Sequence, residues 1–162
     1  MTGLQGERTS GELRQEDLSA IAGVKYGYLR LLDLKEFDQL GRLLTEDCTA
    51  SYEDGRRSFE GRSAIVEFLT GALGDPGIVT QHQCHHPEIS VGADGTARGT
   101  WYLEDRVVVP AHDVEISGTA FYEDAYALVE GTWLISHTGY RRVFEERRVH
   151  STLALISFRS RF

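Results

Sequence analysis

Residues 96–109 read Thr-Ala-Arg-Gly-Thr-Trp-Tyr-Leu-Glu-Asp-Arg-Val-Val-Val, and the fold turns on this stretch. Successive side chains of an extended chain point to opposite faces, so Ala97, Trp101, Leu103, Val107 and Val109 share one side. The remaining member of that set is Asp105, an aspartate where a valine is expected. A buried carboxylate is costly unless it is paired or used. Asp105 therefore stands either at a solvated, salt-bridged mouth of a sheet or inside a working cavity.

Outward from this stretch, Val, Ile, Thr, Tyr, Phe and Trp dominate the chain after Gly77. Gly92-Ala-Asp-Gly95, Pro110-Ala-His-Asp113 and Glu130-Gly131 punctuate it, which predicts four strands near 78–91, 96–109, 115–129 and 132–145. The chain before Gly77 has a helical texture. Leu18, Ile21, Val24, Tyr28 and Leu31 recur at helical spacing over 17–32. Asp33-Leu-Lys-Glu36 has the form of a capping box ahead of Phe37, Leu40, Leu43 and Leu44, which predicts a second helix. Ile65, Phe68, Leu69 and Leu73 give a third over 63–73, ending before Gly74-Asp-Pro-Gly77. Helices first and a meandering antiparallel sheet second is an α+β pattern: a strongly curved sheet forming a cone around helices on one face.

The 162 residues suffice for one domain. The expected organisation is a flexible segment over 1–15, the cone domain over 16–147 and a C-terminal extension over 148–162. In that extension Leu153, Leu155, Ile156, Phe158 and Phe162 form an apolar strip suited to subunit contact or cavity closure. With 17 Lys and Arg against 25 Asp and Glu, the net charge of −8 disfavours nucleic acid and anionic membrane surfaces as partners. No apolar run approaches a membrane span, and the opening residues lack a signal-peptide core, so a soluble cytoplasmic protein is expected. Cys48 and Cys84 are too few for a disulfide framework and read as small buried residues.

Three further groups interrupt the apolar pattern. His82, Cys84 and His86 alternate onto one strand face, with His85 on the other. An imidazole is the favoured general base near neutral pH. His-x-Cys-x-His also offers three zinc-ligand types, although its spacing is not an established ligand pattern and no carboxylate obviously completes it. Tyr28 lies on the first helix's apolar stripe, where its hydroxyl needs an internal partner, and Asp33 follows five residues later.

Taken together, these residues carry a resemblance. Tyr28 and Asp33 in Lys-Tyr-Gly-Tyr-Leu-Arg-Leu-Leu-Asp, His82 in Gln-His-Gln-Cys-His-His-Pro-Glu-Ile and Asp105 in Gly-Thr-Trp-Tyr-Leu-Glu-Asp-Arg resemble the SnoaL-like group of the nuclear transport factor 2-like superfamily. The similarity runs from about Leu18 to Glu146 and is greatest to bile acid 7α-dehydratase, with scytalone dehydratase more distant. It implies active-site roles for Tyr28, Asp33, His82, Asp105 and Arg142, and a homo-oligomer, a trimer before a dimer. Alternation from Trp133 and Ile135 would send Arg141 inward, whereas the motif selects Arg142; a bulge at Thr138-Gly139 would reconcile the two.

These residues support a cofactor-free dehydration of a hydrophobic hydroxy-carbonyl molecule: a steroid, a polyketide or an aromatic intermediate. His82 would remove a proton next to a carbonyl, Asp105 would orient His82, and Tyr28 would hydrogen-bond the developing enolate. Asp33 and Arg142 would pair, and Tyr52, Trp101 and Tyr122 would line the substrate site. No step calls for a metal, flavin or nicotinamide. An isomerase or polyketide cyclase on the same scaffold is the nearest alternative. A noncatalytic module, such as a dioxygenase small subunit, is another.

Overall fold

A computed structural model describes residues 15–149. Helix α1 (Gln15–Asp33) is followed by the short α2 (Phe37–Gly41), strands β1 (Leu44–Tyr52) and β2 (Arg57–Glu60), and helix α3 (Arg62–Leu73). Then come β3 (Val79–Val91), β4 (Thr96–Val109), one 3₁₀ turn at Pro110–His112, β5 (Val114–Val129) and β6 (Thr132–Val149). The six strands form one sheet in the order β2-β1-β6-β5-β4-β3. β1 runs parallel to β6, and every other pairing is antiparallel. No helix of the described residues is long and apolar enough to cross a membrane.

The α+β architecture and the four long strands agree with the alternation in the sequence, whereas β1 and β2 were not anticipated, so the sheet is mixed. In β1 only Cys48, Ala50 and Tyr52 alternate inward, too short and too small a set to announce a strand. The expected capping box does not form. Glu36 precedes α2 without a side-chain cap, Asp33 ends α1 instead, and α2 stops after five residues because Leu44 already belongs to β1. Residues 150–162, with the apolar strip from Leu153 to Phe162, lie outside the described residues, as do residues 1–14. β6 itself continues to Val149, paired with Val114.

Helix α1 is tied to the sheet at both ends. Near its start Asp17 Oδ1 accepts a hydrogen bond from Trp133 Nε1 of β6 at 2.9 Å, and at its end Asp33 reaches β3. Between them Ile21, Tyr28 and Leu32 are buried, and the buried stripe also contains Lys25. Lys25 Nζ lies 2.8 Å from Asp124 Oδ2 of β5, with both side chains 0% exposed. The ammonium makes no well-directed hydrogen bond there, and the Tyr122 ring lies under it, 3.2 Å to the centroid. Asp124 also accepts from Thr138 Oγ1 (2.8 Å) and the Tyr126 hydroxyl (3.0 Å), and Tyr126 accepts from Trp101 Nε1 (3.0 Å). Burial pulls the Lys25 amine below its ordinary value, and Asp124 pulls it back up.

A buried ion pair is poor evidence of net stabilisation, but removing one partner strands the other charge. Lys25→Met should lower stability by about 3–5 kcal/mol in denaturant unfolding. Lys25→Met with Asp124→Leu should recover part of that loss, and an unchanged midpoint in the single variant would deny the pair its place in the core.

Candidate active site

The open end of the sheet's inner face holds a cavity of about 200 Å³ between α1, α3 and strands β1, β3, β4, β5 and β6. Tyr28, Tyr52, His82, Asp105, Tyr122 and Arg142 line it among apolar neighbours such as Phe68 and Leu103. His82 and Asp105 are direct cross-strand partners in the β3–β4 register, so alternation puts both on the inner face. Asp105 is 5% exposed. The apolar run around residue 105 thus delivers a carboxylate into the interior, one of the two placements its position in the stretch 96–109 allows.

The ionic partners are exchanged relative to expectation. Asp33, not Asp105, holds His82: its Oδ1 lies 2.6 Å from His82 Nδ1 and its Oδ2 accepts the His82 backbone N–H at 2.9 Å. Asp105 instead receives Arg142, whose Nη1 and Nη2 donate to Oδ1 and Oδ2 at 2.5 and 2.7 Å. The physical reason is reach. Asp33 closes α1 beside the free edge of β3 and meets an outward-facing N–H there, whereas the planar guanidinium fits the two oxygens of Asp105 as a fork. Partial burial disfavours the charge on Arg142, but the Asp105 carboxylate outweighs it and holds the guanidinium firmly protonated.

Arg142 faces inward and Arg141 outward, where Arg141 pairs with Glu123. The register between β5 and β6 slips between the pairs Ala125–His137 and Tyr126–Ile135, leaving Ser136 as the extra residue. The bulge is therefore earlier than Thr138-Gly139, and it sends Thr138, Tyr140 and Arg142 to the inner face. A second slip, between Thr119–Phe144 and Ala120–Arg142, leaves Val143 unpaired just beyond. Gly118, opposite Asp105, makes room here: a Cβ on it would stand 2.4 Å from the Phe144 carbonyl oxygen and 3.3 Å from Arg142 Nη1.

The tyrosines form a continuous aromatic wall. The Tyr28 and Tyr52 hydroxyls are 3.2 Å apart, and Tyr140 packs against both Tyr52 and Tyr122 with centroids 5.6 and 5.7 Å away. Arg142 stands 5.0 Å above the Tyr140 ring. Burial raises the phenols of Tyr28, Tyr52 and Tyr122 well above 10, so they are hydrogen-bond donors throughout the neutral range. Trp101 does not line the cavity; it lies fully buried deeper in the core, bound to Tyr126. Its expected substrate contact is thereby corrected: a ring on the right face of a strand can still sit at the wrong height along it.

The other corrections are local. The alternation of His82, Cys84 and His86 is interrupted, because β3 shifts register after His85 and His86 has a φ of 49°. Among the described residues no three His, Cys, Asp or Glu side chains cluster as metal ligands. Burial raises the thiol of Cys48 to about 12 and raises that of Cys84. Tyr140 and Lys25 escaped notice in the sequence. Tyr140 follows once Arg142 is known to point inward, and Lys25 sits four residues from Ile21 and three from Tyr28, squarely on the buried stripe.

Fold and site together define a cone-type α+β protein with an aromatic-walled cavity lined by the Arg142–Asp105 pair and by His82, whose partner Asp33 stands behind it. The chain belongs to the SnoaL-like domain family, whose model matches residues 14–139. Among solved structures it is similar to a candidate scytalone dehydratase from Novosphingobium aromaticivorans, at 21% identity over 86% of this chain and 91% of that one, with a TM-score of 0.74. A hexachlorocyclohexane dehydrochlorinase, LinA type 2, matches at 17% identity over 88% and 96%, TM-score 0.76. ActVI-ORFA from Streptomyces coelicolor matches at 16% over 80% and 98%, TM-score 0.69. At these identities the likeness is one of fold.

Two outcomes test this geometry. Gly118→Ala should lower the unfolding midpoint, since the blocking atom is backbone, whereas Gly23→Ala, in open space on α1, should hold or raise it. The raised phenols contribute stability that is complete below the ordinary value of 10 and is lost as pH climbs through their folded values. Near-ultraviolet titration of the folded protein at about pH 11 should leave at least Tyr28, Tyr52, Tyr122 and Tyr126 neutral, with their ionisation appearing together with alkaline unfolding.

Proposed function

We propose that this protein is a cofactor-independent lyase that removes water from a neutral, hydrophobic hydroxy-carbonyl small molecule. The observation that carries the proposal is His82, held from behind by Asp33, in the wall of a tyrosine-lined cavity. An ionised carboxylate only accepts hydrogen bonds, so the partner assigns the ring proton to Nδ1 and leaves Nε2 as the basic nitrogen. His82 is then the general base, and Asp33 orients it and stabilises its protonated form.

In this mechanism His82 Nε2 takes a proton from the carbon next to the carbonyl or its vinylogous extension. The C–H electrons pass into an enolate, whose oxygen is stabilised by a hydrogen bond from Tyr28, itself braced by Tyr52. The C–OH bond then breaks as the enolate collapses to the unsaturated carbonyl. The protonated His82 returns its proton to the departing hydroxyl, which leaves as water. Arg142, held by Asp105, polarises that oxygen across the cavity. Because Arg142 already has a bidentate carboxylate partner, the cavity suits an uncharged ligand better than a carboxylate. Two structural relatives bear the names of elimination enzymes, which supports this reaction class. An isomerase would use the same base but return the proton to carbon, and a cyclase would use the enolate as a nucleophile. A homo-oligomer, a trimer before a dimer, is proposed on the sequence resemblance.

A thermal-shift screen of the full chain with steroid, polyketide-like and aromatic hydroxy-carbonyl compounds should find stabilising ligands, since a ligand that binds only the native state raises its apparent stability. Incubation should then yield the dehydrated product, and retention of the ligand's mass would favour the isomerase. His82→Ala should lower kcat by at least about 100-fold with the fold intact. Wild-type turnover in that variant removes His82 from the chemistry.

A further inference from the structure

Lys35 stands just past the end of α1 with a φ of 61°, a left-handed conformation that favours glycine or asparagine. The turn is closed by Leu34 N–H to the Arg30 carbonyl, Lys35 N–H to Leu32 and Glu36 N–H to Leu31, at 3.0, 3.2 and 2.9 Å. Backbone alone would be better served there by glycine. The lysine side chain, however, is not spread over the surface. Its Nζ donates to Thr80 Oγ1 at 3.1 Å, and Thr80 Oγ1 donates to Asp33 Oδ1 at 2.9 Å.

The direction of this chain follows from the groups in it. An ammonium only donates, so it occupies a lone pair of the Thr80 oxygen and leaves the hydroxyl hydrogen for Asp33. Asp33 is then gripped by three donors of β3: the Thr80 hydroxyl, the His82 backbone N–H and the His82 ring. The grip matters because the Asp33 side chain is 25% exposed, against 9% for His82, and a groove on the outer side of the α1–β3 junction reaches both. Water can compete for that carboxylate unless it is held.

We propose that Lys35 and Thr80 are positioning residues that lock the Asp33 carboxylate onto His82, and so keep Nε2 as the nitrogen presented to the cavity. The inference rests on His82 being the base, and goes further by assigning its orientation to two residues that do not line the cavity. A strained backbone retained for the reach of a side chain is the pattern expected where position serves a site.

The test is nitrogen-15 NMR of the histidine-labelled full chain, with the His82 signals assigned by their loss in His82→Gln. The wild type should show a single tautomer protonated at Nδ1, with a slowly exchanging ring proton. In Lys35→Gly and in Thr80→Val that proton should exchange on the order of tenfold faster, the scale of one lost hydrogen bond. The thermal midpoint of Lys35→Gly should equal or exceed that of the wild type, because glycine relieves the left-handed turn. Thr80→Ser, which keeps the hydroxyl, should restore wild-type exchange. Wild-type exchange in both Lys35→Gly and Thr80→Val overturns the proposal while leaving His82 as the base. Faster exchange in Lys35→Gly accompanied by an equal loss of thermal stability also overturns it, as a merely structural role. A wild-type protein protonated at Nε2 instead overturns the assignment of His82 as base itself.

Discussion

The C-terminal end of helix α1 is fixed to the edge of the sheet by the Asp33 carboxylate. β3 is an edge strand, so half of its backbone N–H groups face away from β4 with no strand to receive them. Asp33, the last residue of α1, accepts one of these N–H groups with one oxygen and the imidazole of the same residue with the other. One side chain at the end of the helix thus receives an outward N–H of the edge strand and holds the ring of the catalytic candidate. Were α1 seated a turn higher or lower, the strand edge would stay uncapped and His82 would lose its orientation together.

Charge inside the cone is organised as three separated pairs: Lys25 with Asp124, Arg142 with Asp105, and His82 with Asp33. At low effective dielectric each pair must be nearly self-sufficient, because an unpaired ion would carry its full desolvation cost. The deepest pair joins α1 to β5 beneath the Tyr122 ring and has a structural role. The other two border the cavity and differ in kind. The guanidinium pair is bidentate and held charged, while the other joins an imidazole to a carboxylate through a single ring nitrogen. An acidic exterior coexists with this balanced interior without contradiction, since surface carboxylates are solvated.

Much of this was legible before any coordinates. Period-two alternation put Asp105 on the apolar face of β4 and His82 and Cys84 on one face of β3, while the inward choice of Arg142 over Arg141 came from the resemblance alone. The pairing was not legible. Alternation says that His82 and Asp105 share a face, but which partner each takes depends on angles and reach across α1, β3 and β6, and those are tertiary quantities. The mistaken capping box has the same origin: Asp33-x-x-Glu36 fits a local rule, and a long-range contact with β3 claimed the aspartate. β1 was missed because its alternating inward set is short, Cys48, Ala50 and Tyr52, and its pairing with β6 is parallel and distant in sequence.

The unpaired Ser136 illustrates how little chemistry separates two different chambers. Were Ser136 drawn into regular pairing with β5 instead of bulging out, every side chain beyond it would exchange sides: Arg141 would enter where Arg142 stands, and Tyr140 would turn to solvent. The identity of the interior cation is therefore encoded by counting, not by composition. A chain of the same length and residue types that ran straight at this point would present a different interior, and comparison by position alone would align groups that never occupy the same space.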